Sequence, residues 1–339
     1  SLTVFVMAIF FPYYVSASNR SWGTPGNFGT PGIIELPTAK RFPDGELVIT
    51  HQNHKNLFMS GITFQALPRL SVAFRYGGQG SGGLLAQGRV NWDRSFDAHL
   101  SILDEGTYLP AISLGLRDFI GTGWYSSEYI VGSKSIGNFE LTAGLGFGRL
   151  SGRDNFSNPL GVLSSRFEQR GAYRADQGGT LGNMNWFRGD TSAFYGFRYQ
   201  IGEKVSISAE YSPDLMLMER DAYFLSYLEL KSPWNFGASY QINDYINLSA
   251  QYLYGSQASI TANVVVNPGR PKLLGGKELA PVPMRIRGKG ETIIKRTDKN
   301  AIRKVLAADR FDVFDLKFEG NLVHLSVKNT KFRSTAQAV

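Results

Sequence analysis

Asp97 and His99 stand two residues apart in the stretch Asp93-Arg-Ser-Phe-Asp97-Ala-His99. In an extended chain they share a face. With Ser126 or Glu128 brought over from another segment they would make a Ser-His-Asp arrangement. Nothing in the order of segments forces that contact, and the alternative is a hydrogen-bond network. Asp93 and Asp97 share the same face but lie roughly 13 Å apart along a strand. That is too far for a glycosidase pair unless Glu128 or Glu140 closes on one of them. His51 and His54 fall at a loop with no acidic neighbour, short of the ligands a metal needs. Gly144-Leu-Gly-Phe-Gly148 matches a phosphate loop only in its glycines. It continues a strand pattern, no helix follows, and the lysine is missing. The chain has no cysteine, which excludes disulfides, thiolate metal sites and a cysteine nucleophile. The residues therefore specify no catalytic group, metal or cofactor.

What positions these residues is a run of alternating segments from about Leu47 to Val266. In Tyr245–Tyr254, Ile246, Leu248, Ala250, Tyr252 and Tyr254 fall on one side, and Asn247, Ser249 and Gln251 on the other. A period of two is the signature of a strand with one apolar and one polar face. Trp234–Ile242, Val205–Ser212 and Phe139–Phe147 repeat it. Runs of roughly ten residues suffice to cross a bilayer as tilted strands. The polar face is too polar and glycine-rich for a packed interior, and aromatics gather near strand ends. Strands are predicted at 45–52, 56–66, 69–77, 89–103, 110–118, 124–135, 139–149, 191–201, 204–212, 232–242, 245–255 and 257–266. The links at 78–88, 150–190 and 213–231 are long and many of the others are short, as in outer-membrane barrels. A mean hydropathy of −0.17 excludes a helical membrane protein but not a barrel.

In this register Arg75, Asp93, Asp97, His99, Arg117, Glu128, Lys134, Glu140, Arg198 and Glu210 line the lumen. Tyr129, Leu145, Phe197, Ala209, Phe236 and Leu248 face lipid. The mixed charges either pair and close the narrow bore or leave it wet. The 150–190 loop joins arginines to aromatics, among them Arg153, Arg166, Tyr173, Arg174, Trp186 and Phe187, a combination suited to stacking on and pairing with an acidic sugar polymer. The alternatives are that it plugs the barrel or binds lipopolysaccharide.

The ends differ in kind. Leu2–Val15 is apolar and leads to Val15-Ser16-Ala17, so residues 1–17 read as part of a secretory signal. Residues 18–44 are rich in glycine and proline and read as irregular lead-in chain before a barrel over 45–266. Residues 267–282 form a Pro/Gly linker. Residues 283–339 then read as a small soluble α/β domain that ends cut short, with Asp298 capping a helix and a hairpin about Glu319-Gly320-Asn321. From Arg270 onward 16 Lys and Arg face 7 Asp and Glu, net +9, which leaves the rest of the chain at −1. A basic tail suits an anionic surface or polymer; behind a secretory signal, nucleic acid is not the expected partner.

Several motifs carry a resemblance: Gly32-Ile-Ile-Glu-Leu-Pro-Thr-Ala39 with Pro43-Asp-Gly45, Asp93-Arg-Ser-Phe-Asp97, Leu114-Gly-Leu-Arg-Asp-Phe-Ile-Gly-Thr-Gly123, Ser126-Ser-Glu-Tyr129 and Gly144-Leu-Gly-Phe-Gly-Arg-Leu150. Together they resemble the YjbH family of outer-membrane proteins from exopolysaccharide and capsule loci. The resemblance covers nearly the whole chain and implies its N-terminal half, since family members are about twice as long. It implies a role in making or exporting an extracellular polysaccharide. Joined to the strand pattern, the expectation is a non-enzymatic barrel in the cell outer membrane serving exopolysaccharide export or assembly. The C-terminal domain is expected in the periplasm, because both ends of an even-stranded barrel emerge on the short-turn side. The expected partners are outer-membrane lipid and lipopolysaccharide, an acidic exopolysaccharide, and periplasmic proteins of the same system. The resemblance brings no catalytic residues. The family often has lipoprotein relatives, a feature from which a chain without cysteine departs. The competing expectations are a barrel enzyme acting on polysaccharide or lipid, and a general porin.

Overall fold

The computed structural model describes residues 22–54, 57–80, 90–171, 180–181, 185–217, 228–268, 299–308, 311–319 and 322–329. The chain divides into two units at Val266. The expected signal segment, the linker beyond Pro268, the Asp298 cap and most of the basic residues of the tail lie outside the described residues.

The first unit has twelve long strands among the described residues: β1 (Leu47–His54), β2 (Leu57–Leu67), β3 (Leu70–Gly80), β4 (Val90–Leu103), β5 (Ala111–Gly121), β6 (Ser127–Ile136), β7 (Phe139–Gly148), β8 (Thr191–Ile201), β9 (Val205–Tyr211), β10 (Trp234–Gln241), β11 (Ile246–Leu253) and β12 (Gln257–Val266). Each pairs antiparallel with its neighbour in sequence. The ring closes where β1 meets β12, from Leu47 opposite Val266 to His54 opposite Ser259. Closure leaves no open edge, so every strand finds its ladder partners within the sheet. Both ends of the ring emerge where the connections are short; the long connections gather at the opposite end.

The alternation dictates which face is which. Ile62, Phe64, Phe74, Phe96, Leu141, Ile207, Phe236, Leu248 and Ile260 stand exposed on the outer surface. So wide an apolar belt has no stable place in water and a natural one in lipid. Aromatics ring the belt at both ends. At the long-loop end Tyr76 stacks on Trp92 at 5.0 Å and Tyr195 on Tyr211 at 5.0 Å. At the short-turn end Phe139 lies 4.5 Å from Tyr199. No helix among the described residues is long and apolar enough to cross a membrane.

The second unit contains α1 (Lys299–Ala308) and an antiparallel hairpin of β13 (Phe311–Glu319) and β14 (Leu322–Asn329). Leu316 is buried, and the Lys299 ammonium lies 5.9 Å over the Phe318 ring. What is described is thus one helix and one two-stranded sheet, less than the α/β domain expected for residues 283–339.

Leu248 tests the register. It pairs with Ala262 and Tyr240 on the outer face. Leu248→Arg should cost about 2–4 kcal/mol if it lies near the bilayer midplane. Reversible unfolding in lipid vesicles would measure this, and an unchanged stability would mean the face is wrongly assigned.

Candidate functional site: a filled lumen

Residues 22–42, expected as lead-in chain, lie inside the barrel. The segment enters and leaves at the short-turn end, where the Gly23 amide donates to the Arg41 carbonyl at 2.8 Å. Its prolines and glycines fold it into tight turns, with bridges between Pro25 and Pro31 and between Gly32 and Pro37. Inside, the Asn27 amide donates to the Ile34 carbonyl at 2.7 Å and the Ile33 amide to the Leu36 carbonyl at 2.8 Å. Ile33, Ile34, Leu36, Ala39 and Phe42 are buried against the inner wall. The wall makes room for them: a Cβ on Gly196 would lie 2.7 Å from Ile33 Cδ1.

The inward charges hold this plug. Glu210 accepts from the amides of Ile34, Glu35 and Leu36 at 3.0, 2.9 and 3.0 Å, and from Asn235 Nδ2 at 3.0 Å. Arg198 donates to the carbonyls of Gly32 and Ile33 at 2.7 and 2.9 Å and also binds the Thr24 hydroxyl. Arg117 donates to the Glu35 carbonyl at 2.7 Å. Ser113 and Ser133 hold the Ala39 carbonyl and amide, each at 2.8 Å. Tyr254 donates its hydroxyl to Glu35 Oε1 at 2.6 Å. Burial pushes the Glu35 carboxyl up to about 8, against the lowering effect of that hydrogen bond. At the exit, Lys40 pairs with Glu105, and Arg41 pairs with Asp104 at 3.0 Å.

Arg75 and Asp97 form a buried two-pronged pair, both contacts 2.8 Å, and Asp97 also accepts from the Asp118 amide at 2.9 Å. The Phe28 ring of the plug lies under two guanidinium groups, 4.7 Å from Arg75 and 4.2 Å from Arg117. Asp93 accepts from the Thr122 hydroxyl. His99 contacts the Lys40 carbonyl through Nε2 at 3.0 Å and the Tyr129 hydroxyl through Nδ1 at 2.9 Å. A carbonyl only accepts, so Nε2 carries a proton. Both ring nitrogens of His99 and both oxygens of Asp97 are thus engaged, and neither residue meets a serine in the manner of a triad. Among the described residues no cluster suits a metal ion.

Eight of the ten residues expected in the lumen point there: Arg75, Asp93, Asp97, His99, Arg117, Glu140, Arg198 and Glu210. Most of them face the plug rather than a water-filled bore. Glu128 and Lys134 do not point inward. Tyr129, expected toward lipid, points into the lumen, where Gly115 opposite leaves space; a Cβ there would lie 2.0 Å from its ring. Alternation then puts Glu128 on the outer wall. It is buried all the same, because Arg170 and Phe187 of the connection after β7 lie over that wall. Arg170 binds both Glu128 oxygens at 2.7 and 3.0 Å, and the Phe187 amide donates to Glu128 at 2.9 Å. Lys134 sits at the outer rim and donates to the carbonyls of Gly106 and Thr107 at 2.5 and 3.0 Å.

Of the loop candidates, Trp186 packs edge-on against Phe119 at 6.2 Å and Phe187 against Phe147 at 5.4 Å. They fasten the loop to the barrel. Arg166 is exposed and Arg153 half-buried. Tyr173 and Arg174 lie outside the described residues. The sequence reading missed Phe28, Glu35 and Lys40. The signal was present in Ile33-Ile-Glu35-Leu36, an acid set among apolar residues within a Gly/Pro-rich stretch, as a buried acid with a dedicated partner would be.

A closed antiparallel barrel with an apolar outer belt and a lumen filled by its own N-terminal segment defines a plugged, membrane-type barrel. The chain belongs to the YjbH family, as its motifs indicated: the family profile, described as exopolysaccharide biosynthesis protein YbjH, matches residues 24–339. An "uncharacterized lipoprotein YjbH" of Escherichia coli (strain K12) is 30% identical over 254 residues, 72% of this chain and 36% of that protein. The chain therefore spans about a third of that relative's length. Among solved structures, the KdgM porin aligns at 8% identity with a TM-score of 0.34, over 65% of this chain and 97% of that one. The COG4313 outer membrane channel from Pseudomonas putida F1 aligns at 8% identity with a TM-score of 0.35, over 66% and 97%. Likenesses of that size say nothing about the site.

Two outcomes follow from this packing. Asp97→Ala strands the Arg75 guanidinium in the interior and should destabilise the barrel by about 3–5 kcal/mol in equilibrium unfolding. The Glu35 carboxyl keeps its proton up to about 8 in the folded chain but loses it near 4.5 when exposed. Between those values the folded form binds more protons, so stability falls as pH rises across that window. Melting temperatures of wild type and Glu35→Gln should converge at the acid end and part toward the alkaline end, with the variant flatter.

Proposed function

We propose that the chain is the barrel portion of a non-enzymatic outer-membrane component of exopolysaccharide export or assembly, resting in a closed state. The observation that carries this reading is the plug. A general porin needs an open bore, and this bore holds residues 22–42 on Glu210, Arg198 and Arg117. Family membership supplies the link to exopolysaccharide. The reading against an enzyme rests on His99 and Asp97, whose hydrogen-bonding atoms are committed to structure.

In this proposal the short-turn end faces the periplasm, and with it the C-terminal unit of residues 283–339. That unit carries the excess positive charge and would meet acidic polymer or periplasmic proteins of the same system. Such contact would weaken as salt screens it. The long-loop end faces outside, where Arg153, Arg166 and the loop around them would meet polymer or lipopolysaccharide.

Deleting the gene should lower secreted polymer with no loss of a measurable turnover. Deleting residues 22–42 should convert a chain that is nearly silent in planar bilayers into one that conducts steadily. Equal conductance of the two forms would mean that the plug does not close the barrel.

A further inference from the structure

Beside the base of the plug, the barrel keeps a cavity of about 490 Å³ that lies against the turns at 137–138 and 202–204. Its size falls in the range of small-molecule sites, about 300–1,000 Å³. Trp22 of the plug lines it together with Glu140, Gln200, Ser206, Gln241 and Asn247 of the wall. We infer that this cavity is a binding site for neutral saccharide units, held by the Glu140 carboxylate and the surrounding amides against Trp22.

Glu140 carries the argument. Its Oε1 is shielded from solvent and has no hydrogen-bond partner, although a buried acceptor left unmade is costly. Its cross-strand neighbour Arg198 does not supply one, since that guanidinium is spent on Thr24 and the carbonyls of Gly32 and Ile33. The Glu140 side chain lines the cavity, so a carboxylate with one bond unmade stands beside a space that other groups could enter. Gln200 donates to the Gly202 carbonyl at 3.2 Å and Gln241 to the Asn243 carbonyl at 2.7 Å, while Asn247 donates to Gln241 Oε1 at 3.1 Å. These bonds set the amide planes and leave acceptor lone pairs on Gln200 and Gln241. A ligand rich in hydroxyls both donates and accepts, and so fits such a lining. The lining charges balance, Glu140 and Glu203 against Arg198 and Lys204. A carboxylate ligand would meet Glu140 directly. The match is to uncharged sugar rings, whose C–H faces stack on an indole.

The inference rests on the export reading only for the source of its ligand. The test uses the whole chain in detergent, with maltohexaose and cellohexaose as neutral probes and hexagalacturonate as the acidic one, read by saturation-transfer NMR. At least one neutral hexamer should bind. Glu140→Ala and Trp22→Ala should each weaken it about tenfold or more, the loss expected for a hydrogen bond to a charged group. The acidic hexamer should bind more weakly by a similar factor. Ser206→Ala serves as the further variant where one of these fails to insert. Absence of binding by both neutral hexamers, tighter binding of the acidic one, or affinity unmoved by the variants would overturn the inference. Absent binding with secretion still dependent on the gene removes only this site; binding with normal secretion in the deletion strain keeps the site and removes the export reading.

Discussion

Four hydrogen bonds converge on the Glu210 carboxylate, three of them from the successive amides of Ile34, Glu35 and Leu36. A carboxylate enclosed by a barrel wall is expensive unless its charge is met by donors. Backbone amides with no strand beside them are equally in need of acceptors. Each solves the other's problem, and this fixes the plug at its deepest stretch. The remaining contacts follow from that position. Arg198 reaches the carbonyls just before the clamped amides, Arg117 reaches the carbonyl of Glu35, and Phe28 slides between two guanidinium groups. The inward charges are mixed in sign because the plug presents both amides and carbonyls.

The barrel was legible in the sequence and its contents were not. Alternation in segments such as Tyr245–Tyr254 reports a physical fact, that one face meets lipid, and no later packing can hide it. Strand number and the crowding of long connections at one end followed from the same pattern. The plug leaves no such trace. It has no period, and its glycines and prolines read as an exposed loop when the turns they make are buried. Polarity also misled at Glu128 and Tyr129. An acid beside a tyrosine suggests acid inward and ring outward. Gly115 opposite Tyr129 reverses this by opening a slot for the ring, a matter of cross-strand neighbours that one strand cannot reveal. Of the inward-pointing charged set, the faces were readable for eight residues, but Arg117, Arg198 and Glu210 hold a plug that lies more than 80 residues away in the sequence.

The 149–190 connection has a related lesson. Its arginines and aromatics suggest a surface for ligands. In the folded chain Arg170 neutralises Glu128 on the outer wall, and Trp186 and Phe187 anchor against Phe119 and Phe147. The burial of a charge outside the ladder of strands is then intelligible: the loop seals it from lipid. Composition names the interactions a loop can make, while the fold decides whether they are made inward, to hold it, or outward, to bind.

The route of the plug has a mechanical side. Trp22 and Phe42 both lie toward the short-turn end, so the segment is a folded loop pushed in from one side, not a strand threaded through. A force drawn at Trp22 from that side would load the bond between Gly23 and Arg41 first, then that between Thr24 and Arg198, then the carbonyls of Gly32 and Ile33, and the Glu210 clamp only afterwards. Contacts loaded one at a time yield at far lower force than contacts sheared together. The plug is therefore compliant toward a pull from the short-turn end, a property built from nothing more than which end the chain enters.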